Sequence, residues 1–174
     1  MTKGEGYSSF AIGHWSFVIC HLLMAVYYGC DIPEDYSFDL ERDVWIRFEG
    51  DLAVLGMTDV AQTRGGKLVN ITFKKIGKAL KQGQSAATIE SAKWVGPFPM
   101  PFGGEIVATN EEGFKRDILL ANKDPYSAGW LVKVRPTNLD AERSHLLTGA
   151  AAVTAYQKKI VELGVKCFRC VDET

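Results

Sequence analysis

The segment Glu90-Ser91-Ala92-Lys93 is where the sequence offers chemistry. Two small residues, Ser91 and Ala92, lie between strand-like limbs and suit a tight reversal that places Lys93 at its tip, in water. A primary amine on a stiff turn can be reached by a modifying enzyme and can then carry a cofactor outward. Alone the pattern is weak, because a lysine in a turn is ordinarily a solvated charge and the chain has thirteen of them. Glu90 precedes the turn and Trp94 follows it, where an aromatic either shields the root of such an arm or simply packs.

Conventional catalysis finds little to work with. There is no G-x-S-x-G, phosphate-binding loop, H-E-x-x-H or dinucleotide fingerprint. His14 and His21 fall in an apolar N-terminal stretch, which leaves His145, expected on a helix surface. Cys20, Cys30, Cys167 and Cys170 are too few for a disulfide-built scaffold, so the core is expected to stand without them. Cys167-Phe168-Arg169-Cys170 has C-x-x-C spacing but no second Cys or His pair, so no metal site is expected. It reads as a loose pair of thiols, or as a redox pair in which Arg169 favours the thiolate.

The elements that must position Lys93 fit one small domain. The chain has 174 residues, 47% hydrophobic and 24% charged, with a formal net charge of −1. That excludes a disordered or multi-span chain and the excess cation of a dedicated nucleic-acid binder. The near-neutrality hides a division: Asp31 to Asp51 holds eight acidic residues against Arg42 and Arg47. Between Asp59 and Glu90 there is no acidic residue, only Arg64, Lys67, Lys74, Lys75, Lys78 and Lys81. These segments read either as two solvated faces that attract one another or as a basic edge that steers an acidic partner.

Phe10 to Tyr28 approaches membrane-spanning length, but Gly13, His14, Ser16 and His21 interrupt it and no cleavage pattern precedes Cys30. Residues 1–29 are therefore taken as an N-terminal extension with Met24 as an alternative start, or else as a short amphipathic arm or anchor. A membrane span is not expected.

From Asp43 onward, short strand-like runs alternate with turn signals. Val44 to Phe48 and Leu52 to Leu55 form a hairpin about Gly50-Asp51. Thr58 caps a short helix closed by Gly65-Gly66, and Leu68 to Phe73 is a strand followed by a basic loop, Gly77 to Gly83. The proline-rich limb after Trp94 must be an edge or connector. Glu105 to Ala108 and Trp130 to Val134 are strands, the latter the last; part of Glu111 to Leu120 is helical. Asn138 is placed to cap a helix from Leu139 to about Leu147. Val153, Tyr156, Ile160 and Leu163 recur at helical spacing until Gly164. The fold class expected is mostly β with C-terminal helix (α+β).

Four ordered segments resemble one family. Gly56-Met57-Thr58-Asp59-Val60-Ala61-Gln62 is similar to the G-I-T-D-Y-A-Q of glycine cleavage H proteins, and Glu90-Ser91-Ala92-Lys93 to their E-S-x-K turn. Pro101 to Val107 with Asn110, and Asn122 to Tyr126 with Gly129-Trp130-Leu131, resemble two later stretches of the same family. The resemblance runs from Cys30 to around Gly149, about 120 residues. It implies a lipoyl-domain barrel-sandwich hybrid over residues 30–136, with 137–174 as a C-terminal helical segment and tail. It also implies lipoic acid amide-linked to Lys93, Glu90 helping the attaching enzyme recognise the turn, and Ser91, Ala92 and Trp94 forming the environment of the arm.

Within that resemblance, Phe73-Lys74-Lys75-Ile76-Gly77 replaces an acidic L-P-E-V-G stretch, and Lys93-Trp94-Val95-Gly96-Pro97 replaces a K-A-x-S-D continuation. Both look more like the lipoate-binding proteins of the heterodisulfide-reductase-like sulfur oxidation pathway. The implied role is a cytoplasmic carrier, not an enzyme, shuttling sulfur-bound intermediates on lipoamide between partner enzymes of thiosulfate metabolism. Partners would be a heterodisulfide-reductase-like complex, a lipoate-attaching enzyme and dihydrolipoyl dehydrogenase. The alternatives are a glycine cleavage H protein carrying aminomethyl groups among the glycine cleavage enzymes, and an unmodified interaction domain. Cys30, Cys167 and Cys170 would be thiols able to exchange with the lipoyl sulfurs if the termini approach the arm.

Overall fold

The structure, a computed structural model, describes residues 24–169. The expectation of a start at Met24 concerns residues outside that range, as do Cys20 and Cys170. The first element is a hairpin, β1 (Met24–Tyr27) and β2 (Cys30–Pro33), followed by β3 (Ser37–Asp39), β4 (Val44–Glu49) and β5 (Leu52–Met57). After α1 (Asp59–Gly65) come β6 (Leu68–Phe73), β7 (Ala79–Leu80), β8 (Ser85–Ser91), β9 (Val95–Pro99) and β10 (Gly104–Thr109). The chain continues through α2 (Glu111–Arg116), α3 (Leu120–Lys123), β11 (Trp130–Pro136), α4 (Leu139–Glu142), β12 (Leu147–Thr148) and α5 (Gly149–Leu163). Seven strands form one antiparallel sheet in the order β12-β3-β4-β5-β11-β10-β7, and β6-β8-β9 form a second. Mostly β with a C-terminal helix is the architecture observed.

The two-residue period of β4 and β5 explains why the sheet is covered on both faces. Val44, Ile46, Ala53 and Leu55 pack in one core cluster with Ile89 and Phe98 of the three-stranded sheet. The intervening Trp45 and Val54 point the other way, into a second cluster with Phe38 of β3, Tyr126 and α5. From α5 this cluster takes Ala152, Tyr156 and Ile160, a stripe at four-residue spacing. Each fully buried large side chain in it is worth about 1.5–3 kcal/mol of transfer free energy. Trp45 and Trp130 are buried and half-buried, as their strand positions predict.

The local signals around the Glu90–Lys93 turn hold. The Thr58 hydroxyl accepts from the Ala61 N–H at 3.2 Å, and α1 closes at Gly66. The proline-bearing β9 is an edge strand, so Pro97 and Pro99 leave no central ladder broken.

Several expectations need correction. Cys30 and Cys167 are joined in a disulfide inside the second core cluster, so that cluster does not stand without cysteine, and Cys167 is not a loose thiol. The pairing spans 137 residues and depends on the chain's return from α5 to the β1–β2 hairpin. The helix expected from Leu139 to about Leu147 is a single turn, ending at Glu142 without a side-chain cap from Asn138. Glu142 is drawn off by the Gly103 N–H, and Leu147-Thr148 pairs with β3, so Trp130–Pro136 is not the last strand. His145 therefore lies in a turn, with Nε2 3.3 Å from an Asp39 carboxylate oxygen. The expected basic loop contains β7, paired with β10.

The two charged segments meet where Arg64 approaches Asp43 at 3.5 Å. Elsewhere the acidic residues find other cations. Lys133 and Arg135 of neighbouring β11 take Glu49 and Asp51 at 2.8 and 3.1 Å, and Arg42 takes Asp39 at 2.9 Å. Lys74, Lys75, Lys78 and Lys81 are exposed and form no salt bridge with any described residue.

Candidate functional site

The β8–β9 connection is a four-residue reversal held by one side chain. The Ser91 N–H donates to the Trp94 carbonyl at 2.8 Å. The Ser91 hydroxyl accepts from the N–H groups of Lys93 and Trp94 at 3.2 and 3.0 Å and donates to the Trp94 carbonyl at 3.2 Å. A hydroxyl has one donor and two acceptor sites, so this turn uses all three. The Ala92 N–H donates to the Lys67 carbonyl at 3.1 Å, which ties the tip to the chain just after α1. Small residues were the sequence signal here; the hydroxyl's part in the turn was not read from it.

Lys93 stands exposed at this tip. Its aliphatic stem lies along the backbone of Gly66, with Cδ 3.6 Å from where a Cβ would stand. Trp94 is 45% exposed and lays its ring over Gly96 so closely that a Cβ there would come within 1.8 Å. The Trp94 ring thus packs on its own strand and also borders the cleft beneath Lys93. Glu90, half-buried one residue before the turn, accepts from the Asn70 amide at 3.3 Å. Glu90, Ser91, Ala92, Lys93 and Trp94 are thus brought together, whereas Cys30 and Cys167 lie at the other end of α1.

Beneath Lys93 is a cleft of about 470 Å³ between α1 and the three-stranded sheet. Leu68, Ile89 and Phe98 give it apolar surface, and Arg42, Asp43 and Arg64 charge. Asp43 has a left-handed backbone (φ 54°) and binds Lys159 at 2.6 Å. Burial pushes its carboxyl above the usual aspartate range, against the opposing pull of Lys159 and then Arg64. Sequence reasoning placed Arg64 in the basic segment but missed its place in the cleft, because the approach of Asp43 across strands leaves no local signal. Among the described residues no three His, Cys, Asp or Glu side chains are placed to hold a metal ion. No described helix is long and apolar enough to cross a membrane.

A β-rich domain that presents Lys93 on a braced hairpin tip above a partly apolar cleft has the architecture of a carrier. The sequence model described as glycine cleavage H-protein matches residues 36–160, and the chain belongs to that family. Glycine cleavage system H protein 5 of Aquifex aeolicus is 44% identical over 148 residues, covering 83% of this chain and 99% of that protein. A probable glycine cleavage system H protein 2 of Sulfolobus acidocaldarius is 42% identical over 149 residues, covering 84% and 99%. The crystal structure of a glycine cleavage system H protein from Mycobacterium marinum superposes with a TM-score of 0.62 at 31% identity, covering 77% of this chain and 100% of that one. The barrel-sandwich hybrid of this family is the fold, and the chain is a carrier protein rather than an enzyme.

Proposed function

We propose that the chain is a cytoplasmic lipoyl carrier whose lipoic acid is amide-linked to Lys93, and that it serves glycine cleavage. The observation that carries this reading is the exposed Lys93 amine on a turn held by the Ser91 hydroxyl, directly above the cleft. The residues fit the group: the amine is open to an attaching enzyme, and the cleft offers an apolar dithiolane both contact surface and room. When bound, lipoyl supplies thiol–disulfide chemistry on a movable arm.

The chain's own residues do the rest. Ser91 fixes the root of the arm, and Glu90 stands beside it as a recognition carboxylate for the attaching enzyme. Leu68, Ile89 and Phe98 keep water from part of the cleft, and Arg64 and Asp43 give its edge paired charge. Residues 30–136 would be the carrier domain and 137–174 a C-terminal helical segment and tail. Partners would be the glycine cleavage enzymes, including dihydrolipoyl dehydrogenase, and a lipoate-attaching enzyme.

The sulfur-oxidation role, with a heterodisulfide-reductase-like complex as partner, has no support among the relatives named above, all of them named for glycine cleavage. It is kept as a second reading on one observation, the unpaired lysine strip at 74–81 where H proteins are acidic.

Intact mass of protein from its native host tests the carrier claim: a lipoyl increment is expected, and it should vanish in Lys93→Arg. Absence of the increment would leave the unmodified interaction domain. Offering the lipoylated chain to purified glycine cleavage enzymes then separates the two carrier readings. Turnover supports the first, and failure with every component turns the assignment to the second.

A further inference from the structure

The tail after α5 is a strap that ties the far end of α1 to the N-terminal hairpin. Its Cys167 N–H donates to the Tyr28 carbonyl at 2.9 Å, and its sulfur is bonded to Cys30. Gly29 is required for the approach: at φ 76° it sits so near that a Cβ would come within 2.6 Å of the Cys167 carbonyl oxygen. Two residues on, Arg169 clamps two carboxylates, Asp31 at 2.6 Å and Asp59, whose side chain is fully buried at the start of α1. Burial and the Asp59 charge both raise the Asp31 carboxyl, and Arg169 opposes them. Without the guanidinium, the buried Asp59 carboxylate would face the partly exposed Asp31 carboxylate with no cation between them.

From this clamp a set of hydrogen bonds runs along α1 as far as Gly66, against which the Lys93 stem packs. The Gln62 amide donates to Asp59 at 2.8 Å and to the Phe168 carbonyl of the strap at 3.0 Å. Its oxygen accepts from Asn122 at 3.1 Å, and Asn122 also donates to the Gly66 carbonyl at 3.1 Å, beside the Lys93 stem. Ala61, Arg64 and Gly65, on the same short helix, line the cleft. The bonded strap therefore holds the end of α1 remote from Lys93.

We propose that Cys30–Cys167 is a reversible redox site for dithiol reductants, and that its state sets how firmly α1 closes one side of the Lys93 cleft. A reductant thiolate attacks one sulfur, the Cys30–Cys167 bond breaks, and a mixed disulfide forms. The second reductant thiol displaces it, so the dithiol leaves as a disulfide. Two electrons and two protons pass to Cys30 and Cys167, which end as free thiols. Released, the strap frays, Arg169 leaves Asp31 and Asp59, and α1 loosens at the end remote from Lys93. Disulfides are exceptional in a reducing compartment and there commonly respond to redox state, which suits a chain that works in the cytoplasm.

The test uses the full chain, needs no lipoyl group, and is therefore independent of whether Lys93 is modified. Purified without reductant, the chain is equilibrated over a series of reduced-to-oxidised dithiothreitol ratios, alkylated and mapped by mass. Cys30 and Cys167 should become alkylated together and reversibly. Hydrogen exchange at 59–65 should quicken by about tenfold or more in the reduced chain, while β4 and β5 amides change little, as expected for a local opening. Arg169→Gln with the disulfide intact should reproduce the loosening of α1. The proposal is overturned if Cys30 and Cys167 are thiols before reduction, if they resist reduction while the chain is folded, or if α1 exchanges alike in both states. Equal quickening of α1 and β4–β5 would also overturn it, since the bond would then be a global staple.

Discussion

The Ser91 hydroxyl bonds both ends of the Trp94 peptide unit's reach, accepting from its N–H at 3.0 Å and donating to its carbonyl at 3.2 Å. The hydroxyl thus reinforces the backbone bond from the Ser91 N–H to the same carbonyl, at 2.8 Å, in closing the hairpin from which Lys93 projects. Ser91→Ala leaves the Lys93 and Trp94 N–H groups to water and removes a partly buried network. The expected cost is about 1–2 kcal/mol in urea unfolding. The larger effect should be on the rate at which an attaching enzyme modifies Lys93, because the amine would no longer sit on a fixed turn. A normal modification rate in Ser91→Ala would show that the enzyme shapes the turn itself.

Gly96 and Trp94 test whether the ring is fastened or merely resting. A methyl at Gly96 would stand within 1.8 Å of the indole, so Gly96→Ala must swing the ring away. The ring is 45% exposed and has water to move into, so stability should change by less than about 1 kcal/mol. The Trp94 fluorescence, isolated by difference against Trp94→Phe, should shift to the red. In a Trp94→Ala background the same substitution should cost nothing further, which a double-mutant cycle reads directly.

Asn122 carries more than any surface residue near the site. Fully buried, it bonds Gln62 and the Gly66 carbonyl through its amide and accepts from the Leu68 N–H at 3.1 Å. Asn122→Leu strands these groups without solvent, and about 2–4 kcal/mol should be lost in denaturant unfolding. Asn122→Asp keeps the acceptor for Leu68 but sets a buried carboxylate against the Gln62 and Gly66 oxygens, so at neutral pH it should cost at least as much as Asn122→Leu, with the loss shrinking in acid as the carboxyl protonates.

Local features of this fold were legible because they are decided within a few residues. Thr58 caps α1, Gly50-Asp51 turns β4 into β5, and Gly164 ends α5, each from its own side-chain or backbone preference. The tight turn that exposes Lys93 was legible for the same reason. Features made by distant partners left no such trace. The Cys30–Cys167 bond, the Asp43 pairing with Lys159, and the capture of Glu142 by Gly103 all join residues far apart in sequence. C-x-x-C spacing pointed to a local pair when the decisive contact was 137 residues away. Periodicity likewise extended α4 through Leu147, where pairing of β12 with β3 takes over.

The Asp43 carboxyl predicts a pH dependence with a definite sign. Its pKa is raised in the folded chain, chiefly by burial, so the native state holds this proton more tightly than the unfolded one does. Stability contributed by Asp43 is therefore greatest below the unfolded aspartate value, about 3.9, and declines as pH rises through its higher folded value. Asp43→Asn cannot titrate and lacks this decline. Urea unfolding of both proteins across the acidic range should give a stability difference that moves against the wild type as pH rises, then levels off. A difference moving the other way would mean that the Lys159 pairing outweighs burial.

The lysine strip is the last feature to ask about, because its rigidity sets it apart from a mobile charged loop. Backbone bonds pin it at both sides: the Lys74 N–H to Ala86, the Gly77 N–H to Ile106, and the Ile106 N–H to Lys78. At its centre Ile76 is 63% exposed among Lys74, Lys75 and Lys78, an apolar contact ringed by cations. Glu105 of β10, opposite Ala79, is the acidic side chain nearest in register. Leu68 pairs with Ser91 at the carrier turn and Phe73 with Ala87 at the far end, so the strip lies one strand length from Lys93, about 20 Å at 3.3 Å per residue. An acidic partner held there would be steered by long-range attraction while the arm works at a separate place. Replacing Lys74, Lys75, Lys78 and Lys81 together by Glu should leave folding within about 0.5 kcal/mol per site, since all four are exposed and unpaired. With whichever enzyme accepts the lipoylated chain, KM should rise by about tenfold at low salt and kcat should hold, with the difference shrinking as salt screens it. Unchanged KM across the salt range would assign these lysines to solubility alone.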